Sequence, residues 1–182
     1  MNYLTLPIGE EAPSAINAVI EVPGGQANKY EYDKSLHVFR LDRPLYASVH
    51  YPGDYGFIPS TLALDGDALD ILVLILEPTF AGCVVEARPV GVLEMLDQNL
   101  PDEKVLAVAV SSPTHKGIHN HTDLAPHVLH EIEHFFSIYK ELEGKKTEVR
   151  GWADAAKARA LIKECHHRFR EGIRSSAAEH AP

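Results

Sequence analysis

Once along this chain the spacing of apolar residues changes, and that change limits what it can fold into. Up to about residue 110 the apolar residues come in short runs and alternations separated by turn formers. From Asp123 onward they fall three and four apart. Val128, Ile132, Phe135, Phe136, Tyr139 and Leu142 mark one face of a helix, and Ala158, Leu161, Ile162, Cys165 and Phe169 mark one face of a second. Several short strands followed by two late helices predict an α+β fold, a small, highly curved, OB-like antiparallel β-barrel covered by two C-terminal helices. No linker or repeat divides the 182 residues, so one domain is expected over residues 1–170. The remaining EGIRSSAAEHAP (171–182) has no period and is expected to fray as a tail.

Within the first part, INAVIEV (16–22) reads as a strand, and KYEYD (29–33) with LHVFRL (36–41) as a hairpin. Residues 46–51 suggest a further short strand, and PGDYGFIPS (52–60) a structured loop, because turn formers crowd it. Residues 71–76 predict a buried strand. GCVVEARPVGVLEML (82–96) predicts one long bent strand, with Pro89 and Gly91 marking a bulge. Strands are also expected at 104–110 and, between the two helices, at 145–151.

Charge and cysteine usage narrow the function classes. With 17 Lys and Arg against 26 Asp and Glu the formal charge is −9. A general binder of nucleic acid or of anionic membranes should be basic, so neither is expected as a partner, and an anionic substrate would need its positive charge supplied locally. Cys83 and Cys165 form no CxxC pair, which excludes a cysteine zinc site and a disulfide framework. Residues 1–11 have no basic and apolar leader pattern, and the apolar runs at 71–76 and 105–110 fall far short of the ~20 residues that span a bilayer. A soluble, cytoplasmic protein is expected.

Asp65, Asp67 and Asp70 fall within six residues, between a turn-rich loop and an apolar strand. Mutual repulsion makes such a cluster costly without cations, and hard divalent ions such as Mg²⁺ or Mn²⁺ take oxygen ligands. A bare DxDxxD is equally compatible with a turn of solvated aspartates. An EF-hand is excluded, because its twelfth position should be Glu and is here Leu76. A phosphoaspartyl phosphatase would set DxD directly after a strongly apolar strand, and Ser60–Leu64 gives that reading only weak support. Asp97 and Asp102 flank a loop ahead of Lys104. Lys29 and Glu31 share a strand face, with Glu21 upstream. Arg43, Tyr51, Tyr55, Tyr139 and Lys140 add cations and phenols; each alone has an ordinary reading as surface charge or core aromatic.

Together these stretches resemble the soluble family I inorganic pyrophosphatases of bacterial type. The resemblance is carried by EVP…KYEYDK (21–34), LDR (41–43), YPGDYGFIP (51–59), DGDALD (65–70), VGVLEMLD…DEK (90–104), HFFSIYKELE (134–143) and EVRGW (148–152), in order over residues 4 to 170. It implies Mg²⁺-dependent hydrolysis of pyrophosphate to two phosphates by in-line attack of a metal-bound hydroxide, with three or four Mg²⁺ per site and Mn²⁺ as a substitute. The implied metal residues are Asp65, Asp70, Asp97, Asp102, Glu21 and Glu31. Asp67 is implied as general base and Tyr55 as the group that orients the nucleophile. Lys29, Arg43, Tyr139 and Lys140 are implied to grip phosphate, assisted by Glu31 and by Lys104 as a balancing charge. One position departs from the pattern: Ala68 stands where the family usually has Pro or Glu, which bears on the stiffness of that loop. Seven such carboxylates against four cationic side chains repel pyrophosphate unless divalent metals reverse the local sign.

Family members of bacterial type also commonly form hexamers with the first late helix near contacts, so a homo-oligomer is expected. His127, His130 and His134 lie at spacings of three and four on that helix and read as a solvated or interfacial face, with His134 at an interface that makes assembly pH-sensitive. His119, His121, His166 and His167 read as surface residues. Two other functions compete: a β-barrel module for oligonucleotides, which the charge opposes, and a phosphatase for nucleotides or phosphoesters.

Overall fold

The computed structural model describes residues 1–179. Its strands are β1 (Ile16–Val22), β2 (Asn28–Asp33), β3 (Val38–Pro44), β4 (Asp54–Phe57), β5 (Asp70–Leu74), β6 (Val84–Asp97), β7 (Leu100–Pro101), β8 (Lys104–Ala109) and β9 (Thr147–Asp154). Two α-helices follow the period change, α1 (Pro126–Ile138) and α2 (Ala155–Glu179). Strands β1, β4, β5, β8 and β6 pair in that order, and β1 pairs again with β6, which closes a ring of five. This is the expected small barrel with two late helices. β9 and β7 extend β6, and β2 with β3 forms a separate hairpin.

Closure depends on the length and bend of β6. Its first residues pair with β1, its middle with β8 and its last with β9. The register slips between Pro89 and Gly91, where the sequence places the bulge, because proline has no N–H to give to the ladder. Gly56 is forced by a close crossing: a Cβ there would stand 1.9 Å from the Val19 carbonyl oxygen on β1.

Alternation sorts the core into two layers. Leu72, Leu74, Leu106 and Val108 join the cluster that holds Phe135 and Phe136 of α1, whereas Ile71, Val73, Val105 and Ala107 join the cluster that holds Ile162 and Cys165 of α2. Both faces of β5 and β8 are therefore covered, which explains their continuous apolar runs.

Five local expectations change. Residues 46–51 form no strand, and the turn-rich 52–60 segment contains β4. β5 and β8 pair parallel, whereas the other ring pairings are antiparallel. Helix α2 continues to Glu179 instead of ending near residue 170; the end of the expected tail, 180–182, lies outside the described residues. Leu142, expected on the buried face of the first helix, lies beyond it and is exposed.

Candidate active site

A cleft of about 350 Å³ opens where strand ends, the acidic loop and the end of α1 meet. β1 brings Glu21, β2 brings Lys29 and Glu31, and β4 brings Tyr55. The parallel register of Ile71 beside Val105 sets the residues just before them, Asp70 and Lys104, side by side at one end of the sheet. Asp97 closes β6, Asp102 precedes β8, and Tyr139 and Lys140 follow the last residue of α1. Asp65 and Asp67 reach the cleft from a loop whose tip, Gly66, has φ +91°, a left-handed conformation that suits glycine.

Five of the seven carboxylates here meet an ammonium, and Glu21 and Asp65 accept from backbone N–H groups instead. Lys104, only 3% exposed, bridges Asp70 and Asp102. Lys140 donates to Asp97 Oδ2 at 2.6 Å, Lys29 pairs with Glu31, and Lys34 pairs with Asp67. The Tyr55 hydroxyl donates to Asp70 Oδ2 at 2.7 Å. Asp65 Oδ1 accepts the backbone N–H of Asp67 at 3.0 Å, which tightens the loop tip.

Burial sets the electrostatics. It works against the Lys104 ammonium, but the flanking Asp70 and Asp102 carboxylates prevail and hold its pKa above the usual value. Burial raises the Asp102 carboxyl against the pull of Lys104, and it raises the Tyr55 phenol well above its ordinary range. Glu21 is pushed up to about 8, chiefly by burial and in spite of the Tyr32 N–H that donates to it at 2.7 Å.

Glu21 therefore links metal-free stability to pH. In the unfolded chain its carboxyl loses a proton near 4.5, whereas the folded chain keeps it to about 8. Between those values the folded state binds more protons, so stability falls as pH rises, by on the order of a few kcal/mol across the window. Denaturant unfolding in chelator from pH 5 to pH 8 should show this decline, and Glu21→Gln should flatten it.

Twelve of the thirteen residues expected at the site border the cleft: Glu21, Lys29, Glu31, Tyr55, Asp65, Asp67, Asp70, Asp97, Asp102, Lys104, Tyr139 and Lys140. Arg43 does not. Its guanidinium is drawn aside by Glu143, which accepts from Nε at 2.8 Å, and by Asp42. Lys34 and Tyr51 line the cleft without having been given a role. KYEYDK contains Lys34, but only the hairpin turn brings it to Asp67; Glu143 meets Arg43 across 100 residues, which no local pattern signals. His127, His130 and His134 are exposed on α1, as is His119. His121, expected at the surface, is half-buried and stacks on Trp152 with ring centroids 5.9 Å apart. His166 is also half-buried, against Ser60.

Among the described residues no three acidic, histidine or cysteine side chains are gathered closely enough to hold an ion as they stand; lysine ammoniums partner the acids instead. The donor set nevertheless fits a hard divalent cation. Its acidic oxygens are all carboxylates, and Asp97 Oδ1 is buried with no hydrogen-bond partner.

Comparison with known proteins agrees with this geometry. The family model for inorganic pyrophosphatase matches residues 18–170. An inorganic pyrophosphatase of Halalkalibacterium halodurans is 51% identical over 158 residues, covering 87% of this chain and 97% of that protein. One of a Nostoc species is 54% identical over 150 residues, covering 82% and 89%. The crystal structure of inorganic pyrophosphatase from Thermus thermophilus superposes with a TM-score of 0.91 at 46% identity, covering 93% of this chain and 99% of that one.

Proposed function

Because the chain belongs to the family I inorganic pyrophosphatases, we propose that its cleft hydrolyses pyrophosphate to two orthophosphates and depends on Mg²⁺ to do so. The observation that carries the reading is the convergence of seven carboxylates and four lysines on one small cleft. That set is too acidic to hold a polyanion unaided and rich enough in oxygen to hold the cations that would reverse its sign.

Asp65, Asp70, Asp97 and Asp102 would hold the ions, three or four in all, with Glu21 and Glu31 contributing directly or through water. When bound, Mg²⁺ neutralises phosphate charge and makes an attacking water more acidic. Asp67 accepts the proton of that water as it adds to one phosphorus, and the bridging oxygen leaves with the other phosphate. The exposure of Asp67 and its exchangeable Lys34 partner suit a group that must give up one contact to take a proton. Tyr55, held on Asp70, orients the attack. Lys29, Tyr139 and Lys140 grip the phosphates. Arg43 joins them by exchanging Asp42 for substrate while Glu143 keeps its Nε. Lys104 balances Asp70 and Asp102. The resemblance extends the reading to a single catalytic domain and a cytoplasmic hexamer; no described helix is long and apolar enough to cross a membrane.

Purified protein should release phosphate from pyrophosphate in Mg²⁺, more slowly in Mn²⁺, and not in excess chelator. Absence of release over a Mg²⁺ titration would refute the reading. Equal turnover of nucleotides or phosphoesters would favour the broader phosphatase instead.

A further inference from the structure

The loop that carries Asp65 and Asp67 is anchored from outside the cleft. At its base Ile58 N–H donates to the Leu69 carbonyl and Leu69 N–H donates to Thr61 Oγ1, each at 2.9 Å. Nearer the tip, Ala63 N–H donates to the Asp67 carbonyl at 2.7 Å. No residue from 62 to 68 is buried, although Ala68, on the β5 side of the tip, packs against the cluster of Val19, Tyr32 and Phe57. The tip is therefore held between the start of β5 on one side and the flank at 60–62 on the other.

That flank rests on helix α2. Leu62 N–H donates to the Cys165 carbonyl at 2.9 Å, and Arg168 donates to the Leu62 carbonyl. His166 Nδ1 lies 2.7 Å from the Ser60 carbonyl oxygen; a carbonyl only accepts, so Nδ1 carries the proton. Glu164 holds Arg168 from the other side at 2.8 Å. Ser60 has φ 55°, a left-handed conformation that costs a non-glycine residue energy and persists where neighbours impose it. The Leu4 and Leu6 carbonyls, which accept from its N–H and its hydroxyl at 2.8 Å each, share that work with His166.

We propose that His166 and Arg168 are positioning residues of the active site, fixing the Ser60–Leu62 flank and thereby aiming Asp65 and Asp67. The proposal rests on the function argued above for the loop. It assigns a role to the middle of α2, outside the cleft lining, and it makes cation affinity depend on two side chains that touch no substrate.

The test uses the full chain and two readouts: Mn²⁺ binding to substrate-free protein by electron paramagnetic resonance, and the Mg²⁺ dependence of phosphate release. Arg168→Ala and His166→Phe should each weaken Mn²⁺ binding about 10-fold or more, the scale seen when groups behind metal ligands are removed. The Mg²⁺ midpoint should rise with it, while the KM for pyrophosphate at saturating Mg²⁺ stays near that of the parent. Arg168→Lys, which keeps a donor, should recover most of the loss, and His167→Ala, at an exposed neighbour, should change nothing. Unchanged Mn²⁺ binding in both variants overturns the proposal, as does a loss that Arg168→Lys fails to restore. If one variant does not fold, the other decides; if neither folds, the role is structural and the proposal falls. A parent protein that releases no phosphate would refute the proposed function, yet the Mn²⁺ titration would still decide whether α2 aims the loop.

Discussion

Asp67→Asn should lower pyrophosphate turnover by about 10²-fold or more while leaving cation uptake close to that of the parent. The magnitude is the usual worth of a positioned general base. The geometry explains why the two effects separate. Asp70 and Asp102 are gathered around Lys104, whereas Asp67 stands 66% exposed at the loop edge with Lys34 as its charged partner. An amide of nearly the same shape keeps the loop and loses the capacity to take a proton, together with an exposed ion pair to Lys34 that is worth little. Single-turnover phosphate release with a parallel Mn²⁺ titration checks it. A loss confined to cation binding would move Asp67 from base to ligand.

Lys104→Met should destabilise the metal-free protein by about 3–5 kcal/mol, the cost of removing one partner from a buried ionic cluster. The methionine fills most of the volume, so the loss comes from charge. Asp70 and Asp102 are left facing each other, and burial already pushes the Asp102 carboxyl upward. Divalent cation should then recover much of the stability by supplying the missing positive charge. Melting curves in chelator and in Mg²⁺ make the comparison; the same deficit in both would mean that Lys104 acts through packing alone.

Period and punctuation carried much of the architecture. The bent β6 is legible because Pro89 and Gly91 interrupt an apolar run that otherwise continues, and the helices because their apolar residues recur at three and four. β4 was hidden because Asp54, Tyr55, Gly56 and Phe57 sit among prolines and glycines, and the glycine that suggests a turn is the one that lets β1 cross closely. The parallel pairing of β5 with β8 leaves no local trace, since alternation describes faces and not partners. The acidic residues were found as clusters by spacing and assembled into a site only through the family resemblance. Lys34, Glu143, His166 and Arg168 escaped because each owes its part to a contact made across 33 or more residues.

That parallel pair also bears on how the protein tolerates changes in length. One ladder fixes Asp70 beside Lys104, so residues added to the 75–83 connection lengthen the chain without moving either side chain. Deleting a single residue inside β5 instead turns every position before the cut to the opposite face and swings Asp70 away from its partner. Relatives of this chain should therefore vary in the size of that connection away from Thr79, which holds Asp54, and from 82–83, which bond to Ile20, and scarcely at all in the length of β5.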